Sequence, residues 1–148
     1  MKKHITLILL VLGFVTHLSA QQHAFGIGAV VGSPTGISAR FNASSGDFVD
    51  ALLAWDVDQN TFFQGHYNFR LSTLEQGPNH ETVLYGGPGL YVRSNVFEQS
   101  NFGFSGNFGV GWTFKRNLEV FAEVSPKIGL VRQTDFLMTG GLGFRYLF

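Results

Sequence analysis

Between Phe102 and Phe114 the chain alternates almost without a fault. Phe102, Phe104, Phe108, Val110, Trp112 and Phe114 share one parity, Gly103, Ser105, Asn107, Gly109, Gly111 and Thr113 share the other, and Gly106 alone breaks the apolar series. Successive side chains of a β-strand point to opposite faces, so this run is a strand with one aromatic face and one small, polar face. Such a strand suits a wall between hydrocarbon and a polar interior. A water-soluble binder with the parity reversed would line a cavity with Phe102, Phe104 and Phe108, leaving Gly, Ser and Asn as a poorly charged outer surface.

The rest of the chain after Gln21 shows no helical period over ten residues, but segments of roughly ten residues that alternate and are separated by turn residues. Eight strands follow, with expected bounds His23–Gly32, Gly36–Ala43, Phe48–Asp56, Thr61–Arg70, Thr82–Val92, Phe102–Phe114, Leu118–Ser125 and Thr134 to the end. The fifth is rich in Gly and contains Pro88, which predicts a bend or bulge there. Turn residues fall at Ser33-Pro34-Thr35, Ser44-Ser45-Gly46-Asp47, Asp58-Gln59-Asn60 and Lys115-Arg116-Asn117. An even strand number puts both termini at one end of a barrel. The links after strands two, four and six share that end and should be short, yet Leu71–His80 is long unless strand four or five runs further.

The ending repeats the pattern. Leu142, Phe144, Tyr146 and Phe148 take the outer parity, while Gly141, Gly143, Arg145 and Leu147 take the inner one. Sixteen Phe and nineteen Gly occur together, although Phe favours strands and Gly disfavours them. A narrow barrel reconciles the two, with large groups outside and small ones in a crowded interior. The fold class expected is therefore all-β, an eight-stranded antiparallel up-and-down transmembrane barrel.

Lys2 and Lys3 precede an apolar run from Ile5 to Val15, and Leu18-Ser19-Ala20 offers a small residue for cleavage before Gln21. The run is shorter than the ~20 residues of a spanning helix and reads as a secretory signal peptide over residues 1–20, with the barrel domain over 21–148. Without Lys2 and Lys3, eight basic residues remain against ten acidic ones, a net of −2 that gives no case for nucleic acid. No cysteine is present, which removes disulfides and thiolate chemistry.

Inner parity collects Arg40, Asp50, Asp56, Arg70, Glu119, Glu123 and Arg145. A charge in a narrow lumen has to be paired or wet. Arg40, Glu119, Glu123 and Arg145 are the candidate ion-pair residues, with Arg145 against Glu119 or Glu123 because strands seven and eight are neighbours. His66 is the one histidine with inner strand parity and reads as a hydrogen-bonded filler; no second histidine lies at ligand spacing. No serine occupies a nucleophile elbow, and Gly26-x-Gly28-x-x-x-Gly32 lacks the helix that a dinucleotide loop requires. No catalytic, cofactor or metal residue is expected. Trp55, Tyr67, Tyr85, Tyr91, Trp112 and Tyr146 read as outward girdles at the membrane interfaces.

Three segments carry a family resemblance: Gly26 to Ser38 with its Pro34-Thr35-Gly36 turn, Val120–Pro126, and Thr134-Asp135-Phe136 with the Gly-Gly-Leu-Gly-Phe-Arg-Tyr-Leu-Phe ending. They resemble the small eight-stranded OmpA-like outer-membrane barrels. The resemblance implies a monomeric, non-enzymatic barrel of the Gram-negative outer membrane with a largely plugged polar lumen. Its partners would be the surrounding lipids and the barrel-assembly machinery, which reads the C-terminal strand. Peptidoglycan tethering is not implied, and the His and Ser pattern of the lipid A deacylase barrels is missing. A small pore, a lipid-modifying enzyme and a lipocalin-like binder are the alternatives.

Overall fold

The structure is a computed structural model that describes residues 25–43, 46–55, 60–95, 100–131 and 134–148. Among them lie β1 (Phe25–Ser33), β2 (Thr35–Asn42), β3 (Phe48–Trp55), β4 (Asn60–Gln76), β5 (His80–Asn95), β6 (Asn101–Phe114), β7 (Leu118–Gly129) and β8 (Phe136–Leu147). Each strand pairs antiparallel with the next, and β8 returns to β1 from Gly26↔Leu147 to Ser33↔Gly140, which closes the barrel. Closure leaves every strand with two neighbours, so no sheet edge runs the length of the wall.

The alternation sorts as the period-2 pattern requires. Phe104 is 57% exposed, Phe136 66% and Leu142 65%, while Asp50, Glu119, Lys127 and Arg145 are buried inside. Phe102, Phe104 and Phe108 all face outward, which is the opposite of the parity a lipocalin-like cavity needs. An apolar cluster of Val30, Leu52, Ala54, Phe62 and Phe121, with Leu137 against it, fills the part of the lumen the polar residues leave.

Three expectations need correction. The link after β4 is only residues 77–79, because β4 runs to Gln76 and β5 starts at His80. Register slips between Arg70 and Ser72 and between Thr73 and Glu75 leave Leu71 and Leu74 as extra residues on β4. Two bulges so close together shift the alternation twice and hide the strand from a period-2 reading. Secondly, β5 pairs with β6 without a slip from His80↔Phe114 to Arg93↔Asn101, straight past Pro88↔Gly106. Pro88 thus lies opposite a residue with no side chain; on its other side the β4–β5 ladder skips from His66↔Gly89 to Phe69↔Gly86, and the register slips themselves fall further along β4. Thirdly, Tyr85 and Tyr91 are buried in the lumen rather than placed on an outer girdle. Glycines on β6 make room for them: a Cβ on Gly109 would come within 2.5 Å of the Tyr85 ring, and one on Gly103 within 2.7 Å of the Tyr91 ring. Trp55, Tyr67, Trp112 and Tyr146 are exposed. Asp56, residues 58 and 59 of one expected turn, residues 44 and 45 of another, and the proposed signal peptide lie outside the described residues.

The β1–β8 seam depends on Gly28, where a Cβ would stand 1.8 Å from the Phe144 carbonyl oxygen and 2.7 Å from the Arg145 Cα. At Gly65 the corresponding contact is 3.6 Å, to the Asp50 carbonyl oxygen. Gly28→Ala is expected to lower stability by about 2–3 kcal/mol, as overpacking does, whereas Gly65→Ala stays within about 0.5 kcal/mol of the parent. Urea unfolding midpoints in detergent micelles measure the difference.

Candidate functional site

Every strand except β1 sends a polar side chain into one connected network across the lumen. Its largest fully buried member is Arg145 on β8. The register sets Glu119 directly across from it on β7, while Glu123 lies two inward positions further along, opposite Gly141. Arg145 Nη1 donates to Glu119 Oε2 at 3.1 Å, Nε donates to Ser38 Oγ at 2.8 Å, and Nη2 stands 3.8 Å from Glu123 Oε1. The guanidinium also lies 3.7 Å over the Phe121 ring. Arg40 on β2 donates from Nη1 to the other Glu119 oxygen, from Nε to Asn42 Oδ1 at 2.6 Å, and packs 3.6 Å over the Phe48 ring. The structure thus brings Arg40, Glu119, Glu123 and Arg145 into one cluster, with Glu119 bridging two guanidiniums. Arg70, the other inner-parity arginine, sits apart near the end of β4 and pairs with Glu81 at 2.6 Å.

Glu123 connects this cluster to a second one. Its Oε2 accepts from the Tyr85 hydroxyl at 3.2 Å and from Asn107 Nδ2 at 3.0 Å. Asn107 accepts from Ser125 Oγ at 3.0 Å, and Asp50 Oδ2 accepts from Asn68 Nδ2 at 2.6 Å. The other Asp50 oxygen lies 3.0 Å from His66 Nδ1, and His66 Nε2 lies 2.8 Å from Ser105 Oγ. Asp50, His66 and Ser105 thus follow the order of a hydrolytic triad. All three are buried, and the line ties β3, β4 and β6 together across Gly89, which occupies the register position between His66 and Ser105. Among the described residues, no group of three or more His, Asp or Glu is arranged to hold a metal ion.

Sequence reasoning placed Asp50 and His66 inside but did not join them, and it missed Tyr85, Ser105, Asn107 and Lys127 as network members. Inner parity was the available signal for Ser105 and Asn107. Lys127 falls outside the expected seventh strand, which stops at Ser125; β7 continues to Gly129, and Lys127 is buried with its Nζ donating to Thr139 Oγ1.

Removing one partner of a buried charge pair leaves the other uncompensated, at a cost of about 3–5 kcal/mol. Arg145→Ala is expected to lose stability on that scale, and Arg145→Met with Glu119→Gln to regain part of it. Unfolding midpoints of the single and double variants check the coupling.

The comparisons with known proteins bear on the fold. No protein-family model matches the chain, and no curated protein sequence matches it. A solved structure similar to it is the N-terminal β-barrel domain of OprF from Pseudomonas aeruginosa, with a TM-score of 0.62 at 14% identity, covering 86% of this chain and 100% of that one. At that identity the likeness shows the fold: a closed, eight-stranded antiparallel β-barrel.

Proposed function

We propose that the chain is an integral outer-membrane protein of the OmpA-like kind, monomeric and non-enzymatic, whose barrel serves as a membrane-embedded structural element with a largely occluded lumen. One observation carries the reading: burial is inverted. Large aromatic and aliphatic side chains cover the outside, while Asp50, Glu119, Lys127 and Arg145 are at most 3% exposed inside. In water this arrangement would leave a broad apolar band exposed, far beyond the patches soluble monomers carry. In a bilayer it satisfies both phases, because a closed barrel meets all backbone hydrogen bonds within the sheet.

The strand lengths agree. A tilted spanning strand needs about 9–11 residues; β1 and β4 to β8 have 9, 17, 16, 14, 12 and 12, and β2 and β3 fall one short with 8 each. Residues 1–20 supply a secretory signal, the C-terminal strand supplies the recognition element for barrel assembly, and the outer face is solvated by membrane lipid. The fold likeness to the OprF barrel domain and the Pro34-Thr35-Gly36 turn support the OmpA-like assignment. Occlusion is supported by the fully buried side chains of Tyr85, Phe48, Phe121, Arg145 and Asn107, with Phe48 edge-on to Tyr85 at 4.9 Å and Arg145 over Phe121.

The expected outcome is recovery of the protein in the outer-membrane fraction, with a gel mobility that changes on boiling. Recovery in the aqueous fraction without detergent would remove the membrane reading. In planar bilayers the folded protein is expected to give no discrete conductance steps; regular steps would replace the occluded barrel with a pore.

A further inference from the structure

The barrel end that carries both Phe25 and Phe148 opens into a cavity of about 420 Å³. Its walls bring Arg40, Arg70, Arg116 and His80 to one volume, with Glu81 as the one carboxylate among the described lining residues. This size falls within the ~300–1,000 Å³ range of small-molecule sites.

The three guanidiniums arrive from different directions: Arg40 from β2, Arg70 from β4, and Arg116 from the turn between β6 and β7. Each is held differently. Arg40 is fixed by Glu119, Asn42 and the Phe48 ring. Arg70 uses Nη1 on Glu81. Arg116 makes no hydrogen bond or ion pair among the described residues. Other acidic groups at this end are already engaged: Asp47 accepts from the Arg70 amide at 3.2 Å, and Glu75 lies 3.3 Å from His80 Nε2.

The turn itself supplies an independent sign. Lys115 and Arg116 have φ of 48° and 66°, and the Asn117 amide donates to the Phe114 carbonyl at 3.1 Å. Positive φ at both central positions is the type I′ requirement, which Asn-Gly meets without strain and long cationic side chains do not. The surroundings enforce the conformation. The Lys115 amide donates to the Asn79 carbonyl at 2.7 Å, and Asn117 is tied to Leu147 through its carbonyl and its side chain. A strained turn thus holds an unpaired guanidinium at the rim of a cavity that already contains two others.

We propose that this vestibule binds a phosphate group. A planar carboxylate is satisfied by a single guanidinium fork, whereas a tetrahedral oxyanion presents oxygens to donors on several walls at once. The cavity also leaves room for the group esterified to the phosphate. That phosphate belongs either to a small soluble phosphoester or to a phospholipid headgroup at the membrane surface, and binding in micelles does not require the membrane reading to hold.

The test uses the folded chain in maltoside micelles, whose headgroup carries no phosphate, at fixed chloride. Inorganic phosphate is titrated calorimetrically, and phosphatidylglycerol is doped into the micelles in a second series. Saturable phosphate binding that weakens about tenfold in Arg116→Asn and in Arg70→Gln establishes the site for soluble phosphate. Binding of phosphatidylglycerol alone, with the same dependence on the two arginines, assigns the site to a lipid headgroup. No saturable binding of either probe, or binding indifferent to both substitutions, overturns the proposal. The double variant Lys115→Asn, Arg116→Gly separates binding from folding, because it creates the favoured turn: its unfolding midpoint should rise while its phosphate affinity falls. A fall in both would assign Arg116 a structural role and overturn the proposal as well.

Discussion

A guanidinium removed from water has to find acceptors in the protein, and Arg145 finds them on both sides of the β8 wall. Glu119 faces it from β7, Ser38 from β2, and Glu123 stands just beyond hydrogen-bond distance. The geometry of the neighbouring strands follows from this requirement. Gly28, across the seam on β1, lets the β1 and β8 backbones approach, and Gly143 leaves its space to the Phe121 ring over which the guanidinium stacks. Shared between two arginines, Glu119 supplies one negative charge to two positive ones, and Glu123, beside Arg145, passes the network on to Asn107 and through it to Asp50. While the Arg70–Glu81 pair at the barrel end stands apart, the middle of the lumen is therefore one electrostatic unit of linked ion pairs. Pairs of this kind contribute little net stability compared with apolar replacements, but they are costly to break singly.

The same packing logic runs through the tyrosines. Tyr85 and Tyr91 lie inside because β6 offers Gly109 and Gly103 opposite them, so a large ring on one strand is matched by an absent side chain on the next. The joint abundance of Phe and Gly then has two geometric origins. The phenylalanines mostly belong to the outer surface, while several inner glycines are the complement of the buried Tyr85, Tyr91, His66 and Phe121 rings. His66 illustrates the point: a Cβ on Gly89 would come within 2.2 Å of its ring, and only across that gap does the imidazole reach Ser105.

Much of the architecture was legible in the sequence, because period-2 alternation is strong wherever one face meets a different medium from the other. Strand number, inner parity and the pairing of strands seven and eight all follow from it. What stayed hidden has physical causes. The end of β4 was lost because Leu71 and Leu74 interrupt the alternation twice within four residues. The buried tyrosines were misplaced because amphipathic rings suit an interface as well as a lumen, and parity within a Gly-rich strand gives few apolar markers to decide between them. The Asp50–His66–Ser105 line was missed because it joins residues on β3, β4 and β6, and spacing along the chain carries no information about a contact that skips a strand.

The position of Arg145 on the last strand has a consequence for the order of events as the barrel forms. Its hydroxyl partner, Ser38, precedes it by 107 residues, and its carboxylates lie on the strand made just before. Pairing of β8 with β7 sets Arg145 opposite Glu119 within the last hairpin, before any contact with β1 is needed. Arg40 and Ser38 lie on β2 and reach the same cluster only when β8 meets β1. Glu119 thus takes one guanidinium from its own hairpin and the second as the wall closes. Sealing the barrel and completing its charge network are a single event.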